Sequence, residues 1–148
     1  MASTETPTEA NDWEEGLIAD IRANGGRPSE GPLAGHPLML MYSTGVKSGE
    51  RRRSILTYSR DGEDYVVAGT AGGGPKAPAW IANLEADPNV SLEVANETFD
   101  AIGTLAQGPE YDRLWAQHVE QLPWFGAYPA QITNRVIPVV RLTRRPGA

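Results

Sequence analysis

Cysteine is absent from this chain of 148 residues. That excludes disulfides, thiol chemistry and most structural zinc sites, and it allows a reducing cytoplasm. Only two histidines occur, His36 and His118, and they are not spaced as metal ligands, so no metal site is expected. No apolar run is long enough to cross a bilayer. The opening residues, MASTETPTEANDWEE, carry neither the basic nor the apolar region of a signal peptide. The chain therefore reads as cytoplasmic, without stable membrane insertion. Peripheral membrane contact through the first helix is opposed by Glu14, Glu15 and Asp20. Cations are in the minority, and the formal net charge of -6 argues against a nucleic-acid partner, which needs a broad basic face. No Ser-His-Asp set and no evident acid–base pair stands out. If the protein is an enzyme, the hard chemistry falls to a cofactor.

What is present is one domain's worth of alternating signals. Residues 1–11 are small, polar and acidic and read as a disordered tail; residues 12–148 read as a single domain. Trp13, Leu17, Ile18 and Ile21 recur at helical spacing, and Asn24-Gly25-Gly26 stops that helix. Leu38 to Tyr42 is a short apolar run, read as a buried strand. Ser54 to Ser59 is a second strand, joined through Arg60-Asp61-Gly62 to a third at Asp64 to Thr70. Pro78 opens a short helix that Asp87-Pro88 ends. Val90, Leu92 and Val94 alternate with polar residues, a turn at Asn96 follows, and Glu97 to Leu105 is the partner strand. Pro109 begins an amphipathic helix carrying Trp115 and His118. Val136 to Thr143 is the last strand, where Pro138 suggests a sheet edge or a bulge. About six antiparallel strands with three or four flanking helices predict an α+β fold, a small closed or split barrel.

Three stretches could carry chemistry. STGVKSGERRRSIL, residues 43 to 56, gathers Lys47, Arg51, Arg52 and Arg53 at a Gly-rich turn and the strand after it. Such a turn exposes backbone N–H groups, and its cations suit phosphate or carboxylate. Alternation puts Arg52 and Ser54 on one face and Arg51 and Arg53 on the other. The competing reading is a solvated hairpin whose charges aid solubility. AGTAGGGPKAPAW, residues 68 to 80, lets backbone approach a flat ligand and ends at a helix N-terminus, with Lys76 as a further cation; alternatively it is a flexible connection. Leu122 to Pro129 concentrates Trp124, Phe125 and Tyr128. Trp124 reads first as core, and the Tyr128 hydroxyl needs a partner.

Taken in order, STGVKSGERR, SRDG, AGTAGGG, PAWIANLEADP and, after Tyr128, NRVIPVVRLT resemble the deazaflavin-dependent nitroreductase family, reductases that use coenzyme F-420. The resemblance spans nearly the whole chain. It implies a split β-barrel of the flavin-reductase, pyridoxamine-phosphate-oxidase-like type. It further implies a reductase that transfers a hydride from the reduced coenzyme to a small electron-poor acceptor: a quinone, an enone or lactone, or a nitro compound. In that family's pattern Lys47, Ser48 and Arg52 hold the coenzyme's phosphate and acidic tail. Ser54, Leu56 and Thr57 on the strand and Ala68, Gly69, Thr70 and Ala71 on the small-residue loop flank its ring system. Ala79, Trp80 and Asn83 begin the helix beside it, and the aromatics around Phe125 and Tyr128 face the substrate. On that mechanism the proton arrives from solvent or from Tyr128, with Thr70 as a hydrogen-bond donor to the acceptor carbonyl. Ala71 stands where some members carry Lys. The alternatives within the fold are an FMN or haem cofactor, and outside catalysis a deazaflavin carrier. Related barrels often pair, which allows a homodimer.

Overall fold

The structure is a computed structural model and describes residues 9–146. Most of the expected N-terminal tail, residues 1–8, lies outside the described residues. The first helix, α1 (Glu9–Ala23), takes in residues 9–11, which the sequence reads as the end of the tail.

Seven strands form one antiparallel sheet: β1 (Leu38–Thr44), β2 (Arg51–Thr57), β3 (Ser59–Asp61), β4 (Asp64–Ala68), β5 (Asn89–Val94), β6 (Glu97–Leu105) and β7 (Val139–Arg144). Their spatial order is β2-β1-β5-β6-β7-β4-β3. The two edges are therefore consecutive in the chain. Residues 51–61 run as one path that bends at Tyr58: its first half pairs with β1 and its second half with β4. A sheet whose edges are two halves of one bent strand must curl on itself, and this makes the split barrel. The bend corrects a sequence expectation. Ser54 to Ser59 is not a single strand paired with Asp64 to Thr70; only β3 forms that hairpin, and β2 belongs to β1. Tyr58 turns inward instead of continuing the ladder, and its ring meets Tyr65 edge-on at 5.4 Å.

Both faces of β1 are covered, which explains its unbroken apolar run. Met39 and Met41 point into the barrel with Val67, Leu92, Val140 and Leu142. Leu38 and Leu40 point outward against Ile18 and Ile21 of α1. β5 and β6 alternate buried and exposed positions as expected, around a turn in which Ala95 and Asn96 both take positive φ, 50° and 70°. Helix α2 (Ala79–Ala86) packs Trp80, Ile81 and Leu84 against the barrel core. Helix α3 (Gly108–Gln121) lays Leu114 on Val66 and Val139, and a short turn at Pro123–Ala127 leads to α4 (Tyr128–Gln131). Pro138 lies neither at a sheet edge nor in a bulge. It precedes β7, which runs between β6 and β4, and its carbonyl accepts from Gly69 N at 2.8 Å. Proline is tolerated there because the ladder begins one residue later. No helix among the described residues is long and apolar enough to cross a membrane.

Candidate functional site

β2 is an edge strand, paired on one side with β1 only, and two cavities open along it. The first, about 490 Å³, lies between the turn after β1 and the start of α2. It is lined by Gly45, Val46, Lys47, Ser48, Arg52, Arg53, Ser54, Ala79, Trp80, Ala82 and Asn83. The second, about 500 Å³, is lined by β2 from Arg53 to Thr57, by Ala68, Thr70 and Ala71, by Pro78 and Trp80, and by Trp124, Phe125 and Tyr128; Glu14 and Leu33 form its rim. Arg53, Ser54 and Trp80 belong to both, so the cavities adjoin as one trough. Each is in the size range of small-molecule sites.

The cationic end is built by a tight turn. Gly45 N donates to Glu50 O at 2.7 Å and Gly49 N to Gly45 O at 2.9 Å. A side chain on Gly45 would put its Cβ 2.9 Å from Ser48 Oγ and 3.3 Å from Arg52 Nε, so only glycine leaves both groups in place. Buried Asn83 ties the turn to the barrel: its Oδ1 accepts from Val46 N at 3.1 Å and its Nδ2 donates to Ser43 Oγ at 3.2 Å. Ser48 Oγ accepts from Glu50 N and, at 3.3 Å, from Arg52. Arg52 meets one carboxylate, Glu50, at 3.6 Å with both side chains exposed, a weak pair. Lys47 is in no ion pair among the described residues. The other two arginines go elsewhere. Arg51 stacks on the Tyr42 ring at 4.1 Å, and Arg53 reaches Glu14 and Glu15 of α1 at 3.3 and 2.9 Å while bordering both cavities.

The other end is small-residue backbone and aromatic rings. After β4 the chain makes a single 3-10 turn, with Ala71 in the left-handed region at φ 50°. That conformation costs alanine about 1 kcal/mol over glycine. Arg135 secures the loop: its guanidinium donates to the carbonyls of Gly69 at 3.0 Å, Thr70 at 3.2 Å and Gly74 at 3.1 Å. Phe125 stands edge-on to Tyr128 at 5.3 Å and to the buried His118 at 4.4 Å. His118 Nδ1 is 2.7 Å from Ser59 Oγ, and its Nε2 has no partner. Burial pushes its pKa down to about 4, so the ring is neutral and belongs to the wall behind the site.

The structure brings together nearly every residue singled out from the sequence. Lys47, Ser48, Arg52, Ser54, Ala79, Trp80 and Asn83 line the first cavity. Ser54, Leu56, Thr57, Ala68, Thr70, Ala71, Trp80 and Tyr128 line the second. Gly69 lines neither: a Cβ there would sit 3.0 Å from Pro138 and 3.1 Å from Ile81, so its bareness serves packing. Lys76 is exposed and also lines neither. Alternation holds along β2: Arg53 lies with Ile55 on the face that meets α1, and Leu56 on the barrel face, yet Arg53 still borders both cavities, which sequence reasoning did not anticipate; it also missed Arg135. Arg135 stands in NRVIPVV, but its partners lie more than 60 residues away and no local pattern marks them.

Comparison with known proteins agrees with this geometry. An F420H(2)-dependent quinone reductase of Mycobacterium tuberculosis is 35% identical over 130 residues, spanning 86% of this chain and 87% of that protein. The solved F420-H2 dependent reductase FDR-A superposes with a TM-score of 0.65 at 32% identity, covering 72% of this chain and 93% of its own. A further solved structure, described as a domain-swapped dimer, matches with a TM-score of 0.67 at 27% identity over 90% of this chain and 99% of its own. Residues 17–144 match the family model described as F420H(2)-dependent quinone reductase, and the chain belongs to that family.

Proposed function

We propose that this protein is an oxidoreductase that uses reduced coenzyme F-420 to reduce quinones, with enones, lactones and nitro compounds as further acceptors of the same electron-poor class. The observation that carries the reading is the single trough with Lys47 and the loosely paired Arg52 at one end and small side chains and rings at the other. A ligand suited to it has an anionic tail and a flat head, and coenzyme F-420 has both. Its phosphodiester and carboxylates match Lys47, Ser48 and Arg52, and its ring matches the slot between β2 and the loop after β4.

Lys47 and Arg52 would hold the tail as a point charge and a planar fork, with Ser48 Oγ orienting the arginine. Ser54, Leu56 and Thr57 would flank the ring on one side, and Ala68, Thr70 and Ala71 on the other, with Gly69 keeping that loop close to the barrel. Trp80 floors the slot, with Ala79 and Asn83 beside it. When bound and reduced, the coenzyme supplies a hydride to the acceptor. The chain's part is to align the acceptor under Phe125 and Tyr128 at near-attack distance and to exclude water. Tyr128 and Thr70 line the cavity; we assign Tyr128 to hold the proton the acceptor takes up and the Thr70 hydroxyl to donate to its carbonyl oxygen. We further propose a cytoplasmic protein that assembles as a homodimer, a reading supported by the domain-swapped dimer among its structural relatives.

The test is direct. Purified protein mixed with reduced coenzyme F-420 and menadione should oxidise the coenzyme, followed by the return of its visible absorbance. Absence of coenzyme binding at micromolar concentration would end the proposal.

A further inference from the structure

Arg135 is half-buried, and its guanidinium meets no carboxylate among the described residues. Its Nη1 and Nη2 donate to three backbone carbonyls of one loop, those of Gly69, Thr70 and Gly74, while its buried Nε has no partner among the described residues. All described peptide bonds are trans. In a trans peptide the C=O and the next residue's N–H point in opposite directions. Turning the Gly69 and Thr70 carbonyls onto Arg135 therefore turns the N–H groups of Thr70 and Ala71 away from it. Neither N–H donates to a backbone carbonyl among the described residues, whereas Gly69, Gly73 and Gly74 on the same loop all do. Thr70 and Ala71 line the ring end of the trough, and Arg135 does not. The loop thus lies between the guanidinium and the cavity, and Ala71 is kept at positive φ in this arrangement.

We propose that Arg135 is a positioning residue: by gripping two successive carbonyls from behind, it presents the amide N–H groups of Thr70 and Ala71 to the cavity as a paired donor site for a conjugated carbonyl oxygen. The cation behind the two peptides also polarises them, which strengthens the outward N–H groups as donors. This rests on the reductase reading, because the deazaflavin ring and the quinone acceptor both carry oxygens of this kind. The shared chemistry is a carbonyl that gains electron density, and the experiment separates its two sources.

Protein labelled with ¹⁵N is titrated with oxidised coenzyme F-420, with menadione alone, and with menadione on the coenzyme complex. The Thr70 and Ala71 amide protons should move downfield together. Movement on adding coenzyme assigns the donors to the coenzyme, and movement on adding menadione assigns them to the acceptor. In Arg135→Lys, which keeps the charge but cannot bridge the carbonyls, the shift should vanish and affinity for that same ligand should fall about tenfold. Methylguanidine should restore both in Arg135→Ala. If the wild-type protein binds coenzyme and menadione while both amides stay in place, the inference is overturned and the reductase reading stands. If coenzyme does not bind at all, the reductase reading falls, and the menadione arm alone decides the amide pair. Should the variants fail to fold, the wild-type titration still decides.

Discussion

Arg141 and Arg52 are the same side chain in opposite company. Arg141, on β7, reaches Asp61, Asp64 and Glu110 at once, and Arg113 of α3 closes on Asp61 from the other side at 3.0 Å. Arg113 first and Arg141 next hold the Asp61 carboxyl down at about 2. Arg52, on β2, has one loose exposed partner, and Lys47 beside it is in no ion pair among the described residues. An acidic protein has carboxylates in excess, so leaving a cation unpaired is a matter of placement. Where carboxylates from three elements converge, the arginine ties α3 to the barrel. Where the neighbours are Ser48, Gly45 and a cavity, the charge remains available to a ligand. Arg53 lies between these extremes, paired with α1 yet bordering the trough.

The contrast can be broken first at its structural pole. Arg141→Ala strips Asp64 and Glu110 of their cation and leaves Asp61 to Arg113 alone. It should cost about 3 kcal/mol, read as a calorimetric Tm lower by about 10 °C, with coenzyme affinity unchanged. An unchanged Tm would remove the distinction between the two arginines.

Acid probes the same wall through His118. Its folded pKa is held near 4 by burial, below the ordinary 6.5, so the unfolded chain takes up a proton that the fold refuses. Stability is therefore full above 6.5 and falls as the pH drops towards about 4, by roughly 3 kcal/mol. Asp61 adds its own loss only as the pH falls below its ordinary 3.8 towards about 2. Urea melts at stepped pH should show the first loss, and His118→Gln should flatten it.

At the binding pole, Lys47→Ala with Arg52→Ala should weaken coenzyme binding about 100-fold at low ionic strength, and less in high salt, where screening has already reduced the wild-type contact. Tm should stay within a degree or two, since neither cation ties elements together. A stability loss with intact affinity would reverse the assignment. The smallest effect belongs to Arg51→Ala, which removes a stack on Tyr42 away from the trough. It should cost under about 1 kcal/mol of stability and leave binding alone.

How much of this was legible depends on how far apart the partners are. The strand at Glu97 to Leu105, the Asn96 turn and the helix opened by Pro78 were readable because alternation, positive φ and a missing N–H act within a few residues. The residues of the trough were named in advance because β2 and the loop after β4 carry their own composition: cations at one, small residues at the other. Alternation assigns Arg53 to the right face, but it says nothing of the α1 carboxylates that hold it or of the cavities it borders there. The strand across Ser54 to Ser59 looked continuous, and only the barrel's interior, where Tyr58 meets Tyr65, decides that it bends.

By itself, then, the chain order determined the elements, the acidic surface with one local excess of cations, and the small-residue loop, since each follows from neighbours in sequence and from backbone preference. The tertiary structure alone decided which arginines are neutralised, that Gly69 is bare for Ile81 and Pro138, and that Arg135 grips a loop more than 60 residues distant. Those outcomes depend on which surfaces meet when the sheet curls closed, and that meeting is set by the packing of the whole core.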